Sequence, residues 1–342
     1  MFNDEILILR GNEVASLLDG RELEIIQTVR SAYDAHARGD TSLPHSTFLR
    51  FPGDQASRII ALPAYIGKTF KAAGIKWIAS FPSNIQKGME RASAVIILSS
   101  TETGRPEAII EGSIISARRT AASAALAAQT LHKNRSETRL GIIGCGLINF
   151  EVVRFILATR REIRSLVIYD SDANRAIDFQ SNCQTRFEPV DVHVADSISE
   201  VLGSSSLISI ATSAAKPHIS DLSDCQPGST ILHISLRDIS PDQLIFCDNV
   251  VDDIDHVCRA ETSLHLAEQL VSNRNFIRCT LADILIGAAG ARKNGNGITV
   301  FSPFGLGILD IAVSKLVQDI ALEQNTGTLI SSFLPEPWTR RE

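Results

Sequence analysis

The sequence lacks a long apolar run, an excess of basic charge and any internal repeat. No apolar stretch approaches the ~20 residues that cross a bilayer, which excludes a membrane-spanning helix. The start, Met1–Glu5, is acidic and lacks the basic segment of a secretory signal peptide. The net charge of −6 provides no bulk attraction for nucleic acid or for an anionic membrane. These absences leave a globular enzyme as the expected class.

CxxC pairs are also absent, although the chain has six cysteines. We therefore expect small buried thiols in a reducing compartment, and a cytoplasmic protein. The acidic stretch Asp252–His256, followed by Cys258, matches no structural zinc spacing. We interpret it as a solvated acidic loop and expect no metal. No Ser–His–Asp arrangement is supported either, because nothing marks a serine as a nucleophile on a strained turn.

The length of 342 residues, of which 44% are hydrophobic and 21% charged, suffices for two domains. From residue 139 to about 300, short apolar strands alternate with helical segments. This pattern predicts an α/β fold with a Rossmann-type doubly wound parallel sheet. The predicted strands lie near 140–144, 166–170, 191–194, 206–211, 230–234, 249–252 and 298–301.

A glycine-rich turn, Gly144-Cys145-Gly146, follows the first of these strands and opens into a helix. Such a turn presents backbone N–H groups to a pyrophosphate. Asn149 stands at the third glycine position of the usual fingerprint, so a purely structural turn remains an alternative. Asp170, 24 positions after Gly146, is placed to reach an adenosine ribose. Its charge would repel a 2′-phosphate, which favours NAD over NADP.

The rest of the chain predicts a discontinuous α+β domain for substrate binding and dimerisation. Helical periods, β-rich runs and an alanine-rich helix precede the glycine turn, and a late helix is expected to return to this first domain. These segments are the helix 13–38, the strands 58–62, 74–79 and 94–98, and the helices 113–132 and 305–323. The predicted domains are 1–132 with 304–342, and 133–303. Residues 335–342 are expected to form a loose end.

Basic residues interrupt apolar segments of this first domain. They are Arg58, Lys76, Arg91, Arg118 and Arg119. Each alone is typical of a surface cation at the end of an element. Together, in a chain of negative net charge, they indicate a substrate with several carboxylates, because guanidinium pairs with carboxylate in two parallel bonds.

Asp238 follows the predicted strand 231–234, at the sheet edge where ligands bind in such folds. The alternative is a helix N-cap, for which Ser240 is better placed because it directly precedes Pro241. Of the histidines, His45 is the one that we place near the substrate.

These segments together resemble the ornithine cyclodeaminase/μ-crystallin family over most of the chain. The resemblance is carried by Gly74–Trp77, Pro82–Asn84, Glu102–Pro106, Ser116–Ala122, the turn Gly141–Gly146, Asp238, Thr299–Phe301 and Phe304–Asp310. It implies an NAD(P)-dependent fold and a homodimer formed through the first domain. By this resemblance Lys76 and Arg119 hold the substrate carboxylate, and Asp238 is the acid/base at the reacting nitrogen. Arg58 is a further substrate contact.

Three positions depart from the commoner members and make ornithine a doubtful substrate: Phe81 replaces a His, Arg91 a Thr, and Ser302-Pro303 an Asp-Ser pair. The sequence is more similar to the subgroup of N-(2-amino-2-carboxyethyl)-L-glutamate dehydrogenases. This similarity implies oxidative hydrolysis to 2-oxoglutarate and L-2,3-diaminopropionate, for a siderophore or a peptide antibiotic. An ornithine cyclodeaminase, another amino-acid or imino-acid dehydrogenase, and a non-catalytic NAD(P)H-binding sensor remain alternatives.

The predicted site residues fall into three sets. The catalytic residues are Asp238 and Lys76. The substrate-binding residues are Arg58, Lys76, Arg91, Arg119 and His45. The residues that bind NAD are Gly144, Gly146, Leu147, Ile148, Asp170, Thr212 and Arg119.

Overall fold

The computed structural model describes residues 5–134, 136–187, 190–335 and 339, with the backbone alone at Gln55. The first four residues of the acidic start and most of the predicted loose end lie outside the described residues. The contacts divide the chain into two units. The mixed-sheet unit comprises Met1–Arg21, Arg38–Arg119 and Gly307–Glu342, and the parallel-sheet unit comprises Glu22–Ala37 and Thr120–Leu306.

The described strands, in chain order, are β1 (Ile6–Leu9), β2 (Thr41–Ser42), β3 (Thr47–Phe51), β4 (Asp54–Ile66), β5 (Ala72–Ser80), β6 (Ala92–Ser99), β7 (Pro106–Glu111), β8 (Arg139–Ile143), β9 (Ser165–Tyr169), β10 (Asp191–Val194), β11 (Leu207–Ile210), β12 (Thr230–His233), β13 (Asp248–Val251), β14 (Ile277–Thr280), β15 (Thr299–Ser302) and β16 (Thr328–Ile330). The helices are α1 (Gly11–Leu17), α2 (Glu22–Ala37), α3 (Ser113–Leu131), α4 (Leu147–Thr159), α5 (Ala173–Arg186), α6 (Ile198–Ser204), α7 (Pro241–Leu244), α8 (Ile254–Val257), α9 (Ser263–Val271), α10 (Leu281–Leu285) and α11 (Gly307–Glu323), with a 3-10 turn at Pro82–Lys87.

The mixed-sheet unit is a sheet of order β16-β1-β7-β6-β5-β4-β2, in which β3 also pairs with β4. Strands β4 to β7 form an antiparallel meander, and β1 joins β7 in parallel. Helix α11 packs on β4, β5 and β6. The alternation of a strand sends Leu62, Lys76 and Ile96, which are paired across these strands, to the same buried face.

The parallel-sheet unit confirms the predicted α/β fold. Its sheet has the order β10-β9-β8-β11-β12-β15-β13-β14, and all neighbouring strands are parallel. The strand order reverses between β8 and β11, and in open sheets of this kind a ligand binds at the carboxyl ends beside that point. The turn after β8 and the residues following β9, β11 and β12 therefore converge at one sheet edge.

Several sequence-based expectations differ from the structure. The single helix expected over 13–38 is two helices, because Gly20 has φ of +67° and ends the first one. Strands β1, β2, β3, β7, β14 and β16 were not predicted. Helix α2 contacts α4 and α10, and Tyr33 bonds Ser123 at 2.8 Å, so α2 and residues 120–132 group with the parallel sheet. The predicted domain boundaries differ from this division.

All six cysteines are free. Four are buried, whereas Cys225 and Cys247 are half-buried, so the expectation of buried thiols is only partly met. Within the described residues, no helix is both long enough and apolar enough to cross a bilayer.

Candidate active site

The glycine turn joins β8 to α4. Gly144 has φ of +92°, and a Cβ there would lie 2.4 Å from the carbonyl oxygen of Ala211. Only glycine fits this position without strain. Gly146 is the N-cap residue of α4. The N–H groups of Leu147 and Ile148 therefore lie in the first helical turn, where the helix has no carbonyl oxygen to accept a hydrogen bond from them. They are available to an anion.

Asn149 stabilises the turn although it replaces the third glycine of the usual fingerprint. The side chain is fully buried, and its Nδ2 donates to the carbonyl oxygens of Ile143 at 2.9 Å and Gly144 at 2.7 Å. The Ser209 hydroxyl donates to its Oδ1 at 2.7 Å. These bonds tie α4 to β8 and β11 where a glycine would otherwise permit close packing. The departure from the fingerprint thus preserves the turn.

Asp170 and Arg175 flank the glycine turn. Asp170 Oδ2 accepts the Cys145 N–H at 2.7 Å, and Oδ1 accepts the Asp172 N–H at 3.0 Å. A Cβ on Gly146 would lie 3.7 Å from Arg175 Nη2. A carboxylate for ribose hydroxyls and a guanidinium for a pyrophosphate therefore border the helix N-terminus, and these residues fit a dinucleotide. Arg175 was not among the predicted contacts, because its approach depends on how α5 packs.

Asp238 follows β12 and has no solvent exposure. Its Oδ1 accepts the Thr212 hydroxyl and faces His218 Nε2 at 3.2 Å. Its Oδ2 accepts the Ser235 hydroxyl and faces His233 Nε2 at 3.2 Å. The two oxygens are thus each held by one hydroxyl and one imidazole. The predicted cofactor contact Thr212 directs its hydroxyl to this carboxylate.

The environment keeps Asp238 ionised. Burial alone raises the pKa of its carboxyl, but the hydrogen bond and charge of His233, with the hydroxyls of Ser235 and Thr212, hold the pKa well below its usual range. Asp238 is therefore a carboxylate at neutral pH. It can accept a proton but cannot retain one. The sequence did not single out His218, His233 or Ser235, because a strand-end pattern identifies the acid and not its partners.

Lys76 and Arg119 converge on a buried carboxylate of α11, that of Asp310. Lys76 Nζ donates to Oδ2 at 2.8 Å, and Arg119 Nε donates to Oδ1 at 2.9 Å. Lys76 also donates to Ser116 Oγ at 3.1 Å. The Lys76 side chain is 2% exposed and that of Asp310 0%. The structure thus brings together two predicted substrate residues around Asp310, an acid for which the sequence predicted no role.

This cluster has unusual electrostatics. Burial and the neighbouring Arg119 lower the pKa of Lys76 to about 8, although Asp310 acts in the opposite direction. Two cations share one carboxylate, so the hydrogen-bonded cluster carries one uncompensated positive charge when Lys76 is protonated. Such a charge is expensive to bury unless an anion accompanies it.

Arg58 and Arg91 lie at one end of the meander. Arg58 pairs with Ser80 in β4 and β5, and Ser80 pairs with Ala92, the residue after Arg91. Because Ser80 stands four residues beyond Lys76 on β5, Arg58 faces the same side of the sheet as Lys76. Both arginines are half-buried.

Two further residues complete this picture of the mixed-sheet unit. His45 is exposed and lies in the connection between β2 and β3, both of which pair with β4. Arg50, which no prediction included, stands directly opposite Arg58 in the register of β3 and β4. Its position became evident only from that register.

The acidic stretch is not the solvated loop that we expected. Asp252 is fully buried and accepts the backbone N–H groups of Asp253, Phe304 and Gly305 at 2.7 to 2.9 Å. Asp253 caps α8 by accepting the His256 N–H at 2.8 Å. The stretch therefore anchors backbone of the parallel-sheet unit. The described residues contain no cluster of three or more His, Cys, Asp or Glu side chains arranged for a metal ion.

Comparison with known proteins defines the class. A model of the ornithine cyclodeaminase/mu-crystallin family matches residues 7–325, and the chain belongs to this family, as predicted. A relative from Staphylococcus aureus, N-((2S)-2-amino-2-carboxyethyl)-L-glutamate dehydrogenase, is 30% identical over 97% of this chain and 100% of its own.

Two solved structures share the architecture. An archaeal alanine dehydrogenase, described as a dimer with bound NAD, matches with a TM-score of 0.86 and 27% identity, over 96% of this chain and all of the other. The Delta(1)-pyrroline-2-carboxylate reductase of Thermococcus litoralis, in complex with NADH and L-proline, matches with a TM-score of 0.88 and 24% identity, over 94% of this chain and 99% of the other. At that identity the second match shows the fold alone.

Proposed function

We propose that this protein catalyses the NAD-dependent oxidative hydrolysis of N-(2-amino-2-carboxyethyl)-L-glutamate to 2-oxoglutarate and L-2,3-diaminopropionate. The observation that carries the proposal is the buried cluster of Lys76, Arg119 and Asp310, with its uncompensated positive charge. A substrate carboxylate supplies the missing negative charge. Asp310 uses the Nε hydrogen of Arg119, so the terminal amino groups of the fork remain for that carboxylate.

A second positive site supports a substrate with more than one carboxylate. Arg50 and Arg58 are directly opposite each other on neighbouring strands, so two basic residues occupy this end of the meander. A substrate carboxylate at this end of the sheet would be attracted by both positive charges. Arg91 adds a cation at the same end of the sheet. Three carboxylates on the proposed substrate account for these residues better than the single carboxylate of ornithine or alanine.

The cofactor is NAD. The N–H groups of Leu147 and Ile148, with Arg175, would hold its pyrophosphate, and Asp170 would bond the adenosine ribose and repel a 2′-phosphate. When bound, NAD would supply a hydride acceptor for the glutamate Cα, whose oxidation gives a ketimine on the substrate. Every other step falls to the protein or to water.

The protein orients the substrate and manages its protons. Lys76 and Arg119 hold the glutamate carboxylate so that the Cα hydrogen is presented in one orientation. Asp238, as a carboxylate, takes the proton of the secondary ammonium so that the nitrogen lone pair can assist hydride departure. It then takes a proton from the water that adds to the ketimine. The carbinolamine collapses to 2-oxoglutarate and the amine.

The two units divide these roles. The mixed-sheet unit binds substrate, and the parallel-sheet unit binds NAD. We also propose a homodimer through the open face of the mixed sheet, which exposes Leu49, Tyr65 and Trp77 to 46%, 40% and 42%. Substitution W77E is expected to yield monomers in light scattering, whereas F246E, at an exposed Phe of the parallel-sheet unit, is not. An unchanged W77E dimer would exclude this face.

The free thiols agree with a cytoplasmic location, and the product would supply siderophore or peptide-antibiotic synthesis. The decisive experiment incubates the protein with NAD and N-(2-amino-2-carboxyethyl)-L-glutamate. NADH formation by absorbance, with 2-oxoglutarate and 2,3-diaminopropionate identified by mass spectrometry, supports the proposal. Turnover of ornithine with ammonia release, or of alanine or a cyclic imine instead, favours another enzyme of the family. Binding of NADH without any turnover favours a sensor protein.

A further inference from the structure

We propose that His218 is the proton relay that connects buried Asp238 with solvent. The proposal rests on the proposed function, because it concerns the proton that the oxidative hydrolysis releases. It also assigns a role to a histidine that the motifs of the chain did not identify.

The His218 side chain connects the buried Asp238 carboxylate with solvent. Asp238 has no solvent exposure, whereas the His218 side chain is 35% exposed and its Nε2 lies 3.2 Å from Asp238 Oδ1. The backbone N–H groups of His218 and Ile219 both donate to the carbonyl oxygen of Asp238 at 2.8 Å. The segment that carries the imidazole is thus bonded to the same residue as the imidazole itself. This double attachment holds the ring against the carboxylate.

The other groups around Asp238 cannot perform this transfer. His233 lies 3.2 Å from Oδ2 but has no solvent exposure, and its Nδ1 faces Ser302 Oγ at 3.3 Å. The hydroxyls of Thr212 and Ser235 have no basic site that stays protonated at neutral pH. Histidine is the side chain that changes its charge near neutral pH. Among the described residues of the parallel-sheet unit, His218 and His233 are the titratable groups bonded to the Asp238 carboxylate, and of these two His218 reaches solvent.

The stoichiometry of the proposed reaction requires that a proton leaves the site in each turnover. The secondary ammonium, NAD⁺ and water yield the ketone, the product ammonium, NADH and one proton. The ammonium proton and one water proton pass to Asp238 in turn, and one of the two must leave in each turnover, while the other protonates the departing amine. A carboxylate held so strongly in its ionised form passes the proton readily to a neutral imidazole. His218 accepts it at Nε2 and releases a proton to solvent from Nδ1.

The test compares H218Q and H218A with the wild type. Glutamine retains an amide donor for Asp238 but cannot take up a proton, so we expect kcat to fall about 100-fold with KM and the NADH dissociation constant unchanged. The pH profile of kcat should also differ from that of the wild type, because the variant lacks the imidazole. Free imidazole should restore much of the kcat of H218A, since it can enter the space vacated by the ring.

His193 provides the matched control. It is another exposed histidine bonded to a carboxylate, with Nε2 2.7 Å from Glu200 Oε1. H193Q and H193A should keep wild-type kcat, and imidazole should not affect them. A wild-type kcat and pH profile in H218Q would overturn the relay and leave the proposed function intact. A reduced kcat of H218A that imidazole does not raise would reduce His218 to a structural role.

The two proposals fail in different ways. If the wild type is inactive on the proposed substrate but active on ornithine, alanine or a cyclic imine, the proposed function fails, and the same variants test the relay on that substrate. If the wild type turns over none of them, both proposals fail, because no proton has to leave.

Discussion

Two buried carboxylates, one in each unit, illustrate how surroundings decide the use of the same chemical group. Asp310 and Asp238 both have 0% exposure. Asp310 is held by the cations Lys76 and Arg119, whereas Asp238 is held by hydroxyls and imidazoles. The first arrangement has a net positive charge and suits the binding of an anion. The second contains groups that can exchange protons, and it suits catalysis.

The difference also concerns stability. Charges buried in a protein incur a large desolvation penalty, and an unpaired one is especially unfavourable. The Asp310 cluster has a net positive charge when Lys76 is protonated, whereas the negative charge of Asp238 is stabilised by His233 and by the hydroxyls of Ser235 and Thr212. We therefore expect variants of the first site to affect folding and binding, and variants of the second to affect rate.

The largest effect is expected for D238N. The amide matches the carboxyl in size but cannot accept a proton, so kcat should fall about 10³-fold while NADH and substrate still bind. Steady-state kinetics and NADH fluorescence titration measure the two quantities separately. D242N, at an exposed aspartate of α7, is the control and should behave as wild type. If the kcat of D238N is within a few-fold of wild type, Asp238 does not exchange protons in catalysis, and its role does not differ in this way from that of Asp310.

The next effect is the loss of stability in D310N. This variant leaves two buried cations without a counterion, and we expect the free energy of unfolding to drop by about 3–5 kcal/mol. Denaturant unfolding followed by circular dichroism measures it. D319N on the same helix removes the exposed Lys315–Asp319 pair, with side chains 30% and 56% exposed, and should change stability by less than about 0.5 kcal/mol. Equal effects in both variants would contradict a charged cluster.

A smaller effect is predicted for substrate affinity. R119A removes one charge-assisted pair, worth about 1.5–3 kcal/mol, so KM should rise about 10- to 100-fold with kcat much less affected. R10A is a suitable control, because Arg10 is exposed and pairs locally with Glu13. An R119A enzyme with normal KM would exclude Arg119 from the carboxylate site.

The smallest effect is a pH dependence. Because the pKa of Lys76 is lowered to about 8, its ammonium is present below that pH and lost above it. The inhibition constant of 2-oxoglutarate should be constant at lower pH and rise with pH once Lys76 deprotonates. This product carries no amine that would titrate in the same range. If the inhibition constant of 2-oxoglutarate is the same at pH values below and above about 8, the charge of Lys76 does not contribute to binding.

The sequence predicted the parallel sheet and the glycine turn well, because both are local patterns. The local pattern spans about 30 residues. It consists of an apolar strand, the turn at Gly144, whose φ of +92° favours glycine, and an acid after the next strand. The sequence predicted the boundary between α1 and α2 less well. The period of 13–38 continues through Gly20, where a single left-handed residue separates two helices. Strand β14, Ile277–Thr280, alternates apolar and polar residues, but over four residues this is the shortest run that can indicate a strand.

Taken alone, the sequence determined which residues are chemically competent: the glycines, Asp170, Asp238 and the cations among apolar residues. The tertiary structure decided which of them act together. Asp310 meets Lys76 across 234 positions and Arg119 across 191. Strand β15 enters the sheet between β12 and β13 although it is last of them in the chain. Local periodicity reports the face that a segment buries, whereas partners so distant in sequence are selected by packing of the whole fold.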